Sequence, residues 1–131
     1  MQSNRKRVLV VDDDGEIRQL LRAVLDARGF DVELAADGFT MRSVLTKTRI
    51  DLVVIDALLR FEHGVDLANH VGSLGIPTIM ISGDPSQFDA IKRTNYAFMT
   101  KPLRIKEFMT QVSTMTKGAA SAAAKPPAPP P

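Results

Sequence analysis

The sequence predicts an α/β fold: a doubly wound, five-stranded parallel sheet made of five βα repeats, with strand order 2-1-3-4-5. Three observations carry this. Short continuous apolar runs rich in β-branched residues, Val8-Leu9-Val10-Val11 and Leu52-Val53-Val54-Ile55, fit strands buried on both faces of a parallel sheet. Segments with helical periodicity lie between such runs, and strands alternating with helices imply right-handed crossovers over both faces. The runs end in Asp12-Asp13, Asp56, Ser82 and Lys101. A parallel sheet gathers such ends on one edge, and open α/β sheets bind ligands there.

The elements follow in order. Residues 8–11 form the first strand. Ile17, Leu20, Leu21, Val24 and Leu25 then recur on one face of a helix, with Asp14 as N-cap and Gly29 as its stop. Residues 30–35 read as the second strand, Asp37-Gly38 as a turn, and residues 39–47 as a helix with Met41, Val44 and Leu45 inward. Residues 52–55 make the third, central strand, running straight into Asp56. A loop leads to Gly64, and residues 65–73 form a helix burying Leu67, Ala68 and Val71. Gly75-Ile76-Pro77 breaks the chain before the fourth strand, residues 78–81. Pro85 suits the first turn of a short fourth helix carrying Phe88 and Ile91. Residues 97–100 are the fifth strand, and Ile105, Phe108, Met109, Val112 and Met115 mark a fifth helix that Gly118 ends. Residues 1–118 are one domain; residues 119–131, only Ala, Ser, Lys and Pro, read as a flexible tail or linker.

The 131 residues suffice for one core, and the net charge of +2 gives no argument for a nucleic-acid surface. There is no cysteine, hence no disulfide framework and no thiolate metal site. No apolar run is long enough to be a signal-peptide core or a membrane span. Arg5-Lys6-Arg7 reads as a solvated lead-in, and His63 and His70 are given no role.

At the ligand edge, the predicted order brings Asp12, Asp13 and Asp56 together. Like charges that close repel unless neutralised. A hard divalent cation such as Mg²⁺, which takes carboxylates and waters, would neutralise them, with Lys101 as a second positive charge and Ser82 as a hydroxyl donor. Such a set suits phosphoryl transfer onto a carboxylate nucleophile, which makes Asp56 a candidate phosphate acceptor.

Val10-Val11-Asp12-Asp13-Asp14, Val53-Val54-Ile55-Asp56, Gly64, Ile81-Ser82-Gly83 and Phe98-Met99-Thr100-Lys101-Pro102 together resemble the receiver domain of two-component response regulators, over residues 7 to about 117. The resemblance implies a flavodoxin-like fold in which Asp56 is phosphorylated by a histidine kinase or a histidine phosphotransfer protein. It implies that Asp13, Asp56 and the backbone carbonyl of Leu58 ligate Mg²⁺, with Asp12 acting through a bound water. Lys101 would pair with Asp56 and then with the phosphoryl group, before a cis bond to Pro102. Ser82 would bond a phosphoryl oxygen, and Phe98 would report phosphorylation on the face of the fourth helix, fifth strand and fifth helix. It leaves open a dimer through that face. The resemblance further implies a cytoplasmic acceptor with slow autodephosphorylation rather than a turnover enzyme. The downstream protein partner is unnamed, and contact with nucleic acid or membrane is not expected.

Departures from the family pattern are Arg60, where many receivers have proline; Ser82 in place of the commoner threonine; and a short fourth helix. Two rivals remain. In a haloacid-dehalogenase-like phosphohydrolase, Asp12 and Asp14 would be the working pair. A degenerate receiver would bind partners without phosphorylation.

Overall fold

The structure, a computed structural model, describes residues 5–121, with side chains described for residues 5–117. Five strands, β1 (Arg7–Val11), β2 (Asp31–Ala35), β3 (Leu52–Asp56), β4 (Thr78–Ser82) and β5 (Ala97–Thr100), form one sheet in the order β2-β1-β3-β4-β5. Every pairing is parallel, with Val10 opposite Val54, Asp56 opposite Ile81 and Ser82 opposite Thr100. The helices are α1 (Gly15–Ala27), α2 (Gly38–Lys47), α3 (Gly64–Ser73), α4 (Phe88–Lys92) and α5 (Ile105–Ser121). The doubly wound fold is as the sequence implies.

Period-two alternation splits the core between the two faces of the sheet. Val8, Val10, Leu52, Val54, Ile79 and Ile81 pack against Leu21 and Leu25 of α1 and Phe108, Met109 and Val112 of α5. Leu9, Val11, Val53, Ile55 and Met80 pack with Met41 of α2, Leu67, Ala68 and Val71 of α3, and Ile91 of α4. Both faces of β3 are covered, so all five of its residues are buried, Asp56 included. The site therefore sits at the end of a strand buried along its whole length.

Local signals hold at most element ends. Asp14 caps α1, its carboxylate accepting from the N–H of Glu16 at 2.8 Å, and Asp37 caps α2 by accepting from Thr40 at 2.8 Å. Gly29 follows α1 with φ of 92°, the left-handed conformation that relieves its last carbonyls. The short fourth helix is irregular as expected, a 3-10 turn at Pro85–Gln87 leading into five residues of α4.

Three expectations need correction. Leu20 is half exposed and does not join the α1 core face, which Leu21 and Leu25 fill. Arg5, though exposed, and Arg7 are more than a solvated lead-in. Arg7 opens β1 and pairs with Asp31 at 3.4 Å, while Arg5 donates to the carbonyls of Gly29 and Phe30, both at 2.8 Å, where α1 ends. Nor does Gly118 end α5. The helix runs to Ser121, and the alanines that follow Gly118 have the helix propensity to carry it on. The expected tail lies, from residue 122 on, outside the described residues.

Candidate functional site

Asp12 follows β1, Asp56 ends β3, Ser82 ends β4 and Lys101 follows β5, so all four stand on the carboxyl edge of the sheet. Asp12, Asp13 and Asp56 each bring a carboxylate oxygen within 4.8 Å of the others. The Lys101 ammonium donates to Asp56 Oδ2 at 2.8 Å and to Asp12 Oδ2 at 3.2 Å. Asp12 and Asp56 are buried, whereas Asp13 is exposed at the mouth.

The electrostatics follow from this placement. Desolvation of Asp12, reinforced by the charge of Asp56, raises its pKa above the ordinary value despite the N–H of Asp14 and the charge of Lys101. Burial pulls the Lys101 ammonium down, but its hydrogen bond to Asp56 and the charges of Asp12 and Asp56 outweigh burial, and the net direction is up. One lysine thus serves two buried acids, leaving the cluster net negative. The donors are hard oxygens, and Asp13 Oδ1 accepts no hydrogen bond among the described residues. Such a set fits Mg²⁺.

Backbone groups fix the rest. The N–H of Asp14 donates to Asp12 Oδ1 at 2.9 Å, and that of Leu58 to Asp56 Oδ1 at 2.9 Å. Gly64 lies against β3, its N–H on the Ala57 carbonyl at 2.9 Å; a Cβ there would overlap the Asp56 carbonyl and stand 2.6 Å from Ala57 Cα. The family-pattern glycine is therefore a steric requirement of the loop that leaves Asp56.

Ser82 is fully buried, and its hydroxyl accepts from the Asp84 N–H at 3.1 Å and donates to the Asp84 carbonyl at 3.2 Å. It stands at the edge but is turned toward its own loop. Phe98 is half buried and meets Phe88 edge-on, with ring centroids 5.2 Å apart. Leu58 bridges His63 across the β3–α3 loop, and the Lys101–Pro102 bond is cis.

Sequence reasoning missed two contacts at the site. Arg18 Nη1 donates to the Asp12 carbonyl at 2.6 Å, and the Arg60 N–H donates to Asp13 Oδ2 at 2.8 Å. The first ends on a backbone carbonyl outside α1, which no helical spacing marks. Nothing local could reveal the second, which joins residues 47 apart.

Comparison with known proteins agrees with this geometry. Residues 8–113 match the family model of the response regulator receiver domain. The DNA-binding response regulator MtrA of Mycobacterium tuberculosis is 29% identical over 116 residues, covering 86% of this chain and 51% of that protein. The regulatory protein VirG of Agrobacterium tumefaciens is 33% identical over 112 residues, covering 82% of this chain and 42% of that protein. The chain thus spans about half the length of the curated relatives it matches, or less. The solved signal receiver domain of an HD domain-containing protein from Pseudomonas fluorescens shares the fold, with a TM-score of 0.84 at 22% identity, covering 95% of this chain and 96% of that one. No helix among the described residues is long and apolar enough to cross a membrane. The chain belongs to the response regulator receiver domain family of two-component systems, whose function is to take a phosphoryl group on an aspartate with Mg²⁺.

Proposed function

We propose that Asp56 is the phosphoacceptor of this chain and that a histidine kinase or a histidine phosphotransfer protein is the donor. The observation that carries the reading is the placement of Asp56: buried at the end of the central strand, 2.8 Å from Lys101 and clustered with Asp12 and Asp13. Asp13, Asp56 and the Leu58 carbonyl would hold Mg²⁺, with Asp12 reaching it through a water. The bound cation would screen the acceptor from its anionic donor and offset charge on the transferred oxygens.

The chain's own groups do the rest. An Asp56 oxygen attacks phosphorus of the phosphoimidazole. The O–P bond forms as the N–P bond breaks, and the electron pair returns to the imidazole nitrogen, which takes up a proton. Lys101, already on Asp56, follows the charge onto the phosphoryl oxygens. The Ser82 hydroxyl would leave the Asp84 turn to bond one of them, and that shift, on the strand beside β5, is what Phe98 would read against Phe88. Water later attacks phosphorus and breaks the acyl O–P bond, restoring the carboxylate and releasing phosphate.

The face made by α4, β5 and α5 would carry the output, to a protein partner or a second copy of the chain. The family's donors are histidine kinases and phosphotransfer proteins. MtrA is named a DNA-binding regulator, so the expectation of no nucleic-acid contact gains no support from it.

The test is incubation with acetyl phosphate, with and without Mg²⁺. A stoichiometric, Mg²⁺-dependent adduct supports the reading. Continuous turnover of phosphomonoesters through Asp12 would instead favour the phosphohydrolase.

A further inference from the structure

We infer that Arg60 is a positioning residue for the cation site, acting through its backbone N–H rather than its guanidinium. The inference rests on reading the acidic cluster as a Mg²⁺ site.

Each of the three carboxylates is held by one backbone N–H. Asp14 holds Asp12 and Leu58 holds Asp56, both from two residues away, so those bonds come with the local turn. The Arg60 bond to Asp13 is different in kind, because it ties the β3–α3 loop to the β1–α1 loop across 47 residues.

Asp13 also differs from its neighbours. The second oxygens of Asp12 and Asp56 both accept from Lys101, whereas Asp13 Oδ1 accepts nothing among the described residues. Asp13 is exposed, and a solvated carboxylate samples several rotamers. The Arg60 N–H on Oδ2 selects one and leaves Oδ1 for a cation. A ligating carboxylate oriented by such a partner binds more tightly than one that must be ordered on binding.

The donor is itself held. Leu58 bridges His63, and beyond Arg60 the Glu62 carboxylate accepts from the Gly38 N–H at 2.6 Å and pairs with Arg42 at 3.7 Å. The loop is pinned on both sides of residue 60. Proline at this position cannot donate; receivers that carry it must orient the acid by other means.

The test is Mg²⁺ titration of the full chain, followed by backbone amide NMR, for wild type, Arg60→Ala and Arg60→Pro. The alanine variant keeps the N–H and serves as the rescue. Its dissociation constant is expected to stay within about two-fold of wild type, while that of the proline variant rises about ten-fold, the lower end for losing a group that orients a metal ligand. Equal affinity of the proline variant and wild type, or equal loss in both variants, would overturn the inference. A second readout does not depend on the proline variant folding. In wild type the Arg60 amide resonance should move on Mg²⁺ addition and in Asp13→Asn, and an Arg60 amide indifferent to both would also overturn it. If wild type takes up no Mg²⁺, the site reading falls and this inference with it; normal uptake with a silent Arg60 sinks the inference alone.

Discussion

Lys101 Nζ lies 2.8 Å from Asp56 Oδ2 although 45 residues separate them along the chain. The same ammonium is 3.2 Å from Asp12, so it is the shared countercharge of two buried acids. Lys101→Ala strands both. It should lower stability at neutral pH by about 1–3 kcal/mol, less than for a fully buried pair because the lysine is partly exposed. Mg²⁺ should recover part of the loss. The folded pKa of Lys101 is raised, so its contribution is complete below the ordinary value of 10.5 and is lost as pH rises through the folded value. Urea melts of the two proteins should therefore converge at strongly alkaline pH; equal stability at pH 7 would contradict the pairing.

The Asp12 carboxylate is the costly member of the cluster, since burial and the charge of Asp56 oppose its ionisation. Asp12→Asn should raise the melting temperature in the absence of divalent cations. It should also weaken the gain from Mg²⁺, which for wild type is about 1.4 kcal/mol at ten times the dissociation constant. Thermal melts with and without Mg²⁺ check both halves. A variant less stable than wild type without metal would refute the electrostatic account.

Asp37 tests the scaffold rather than the site. Its carboxylate caps α2, and the Thr40 N–H holds its pKa below the usual 3.8. Asp37→Ala should cost about 1 kcal/mol at neutral pH. A lowered folded pKa means that the charge contributes fully above 3.8 and is lost as pH falls through the folded value. The difference between wild type and variant should shrink along the acid limb; one that persists unchanged at pH 2 would show the cap is not electrostatic.

Gly64 tests the loop leaving Asp56. A methyl group there meets the Asp56 carbonyl and Ala57 Cα. Gly64→Ala should destabilise by about 1–3 kcal/mol, read as a lower urea midpoint with unchanged slope. It should also shift amide resonances at Asp56 and Leu58. Unmoved resonances would mean that the loop does not depend on this close approach.

Much of this was legible in the sequence because the governing physics is local or periodic. Val8 to Val11 and Leu52 to Ile55 fit buried strands, and their ends named Asp12, Asp13 and Asp56. Order 2-1-3-4-5 then places these together. Asp14 and Gly29 follow from backbone chemistry at element ends, whereas Asp37, read only as a turn residue, also caps α2. What the sequence hid is long-range or competitive. Leu20 has the right period, but a narrow α1 stripe is filled by Leu21 and Leu25. Gly118 is a common helix stop, yet α5 passes through it toward alanines. The Ser82 hydroxyl has two local partners at Asp84, which its place at a strand end does not reveal. The Arg60 N–H on Asp13 is a backbone donor, so no side-chain pattern encodes it.

The most direct test of the central claim is to locate the phosphoryl group. The chain is treated with acetyl phosphate and Mg²⁺, the acyl phosphate is trapped by borohydride, and its peptides are read by mass spectrometry. The account predicts modification at Asp56 alone, lost on chelation of Mg²⁺ and absent from Asp56→Asn. Modification centred on Asp12 or Asp13, or undiminished labelling of Asp56→Asn, would contradict it.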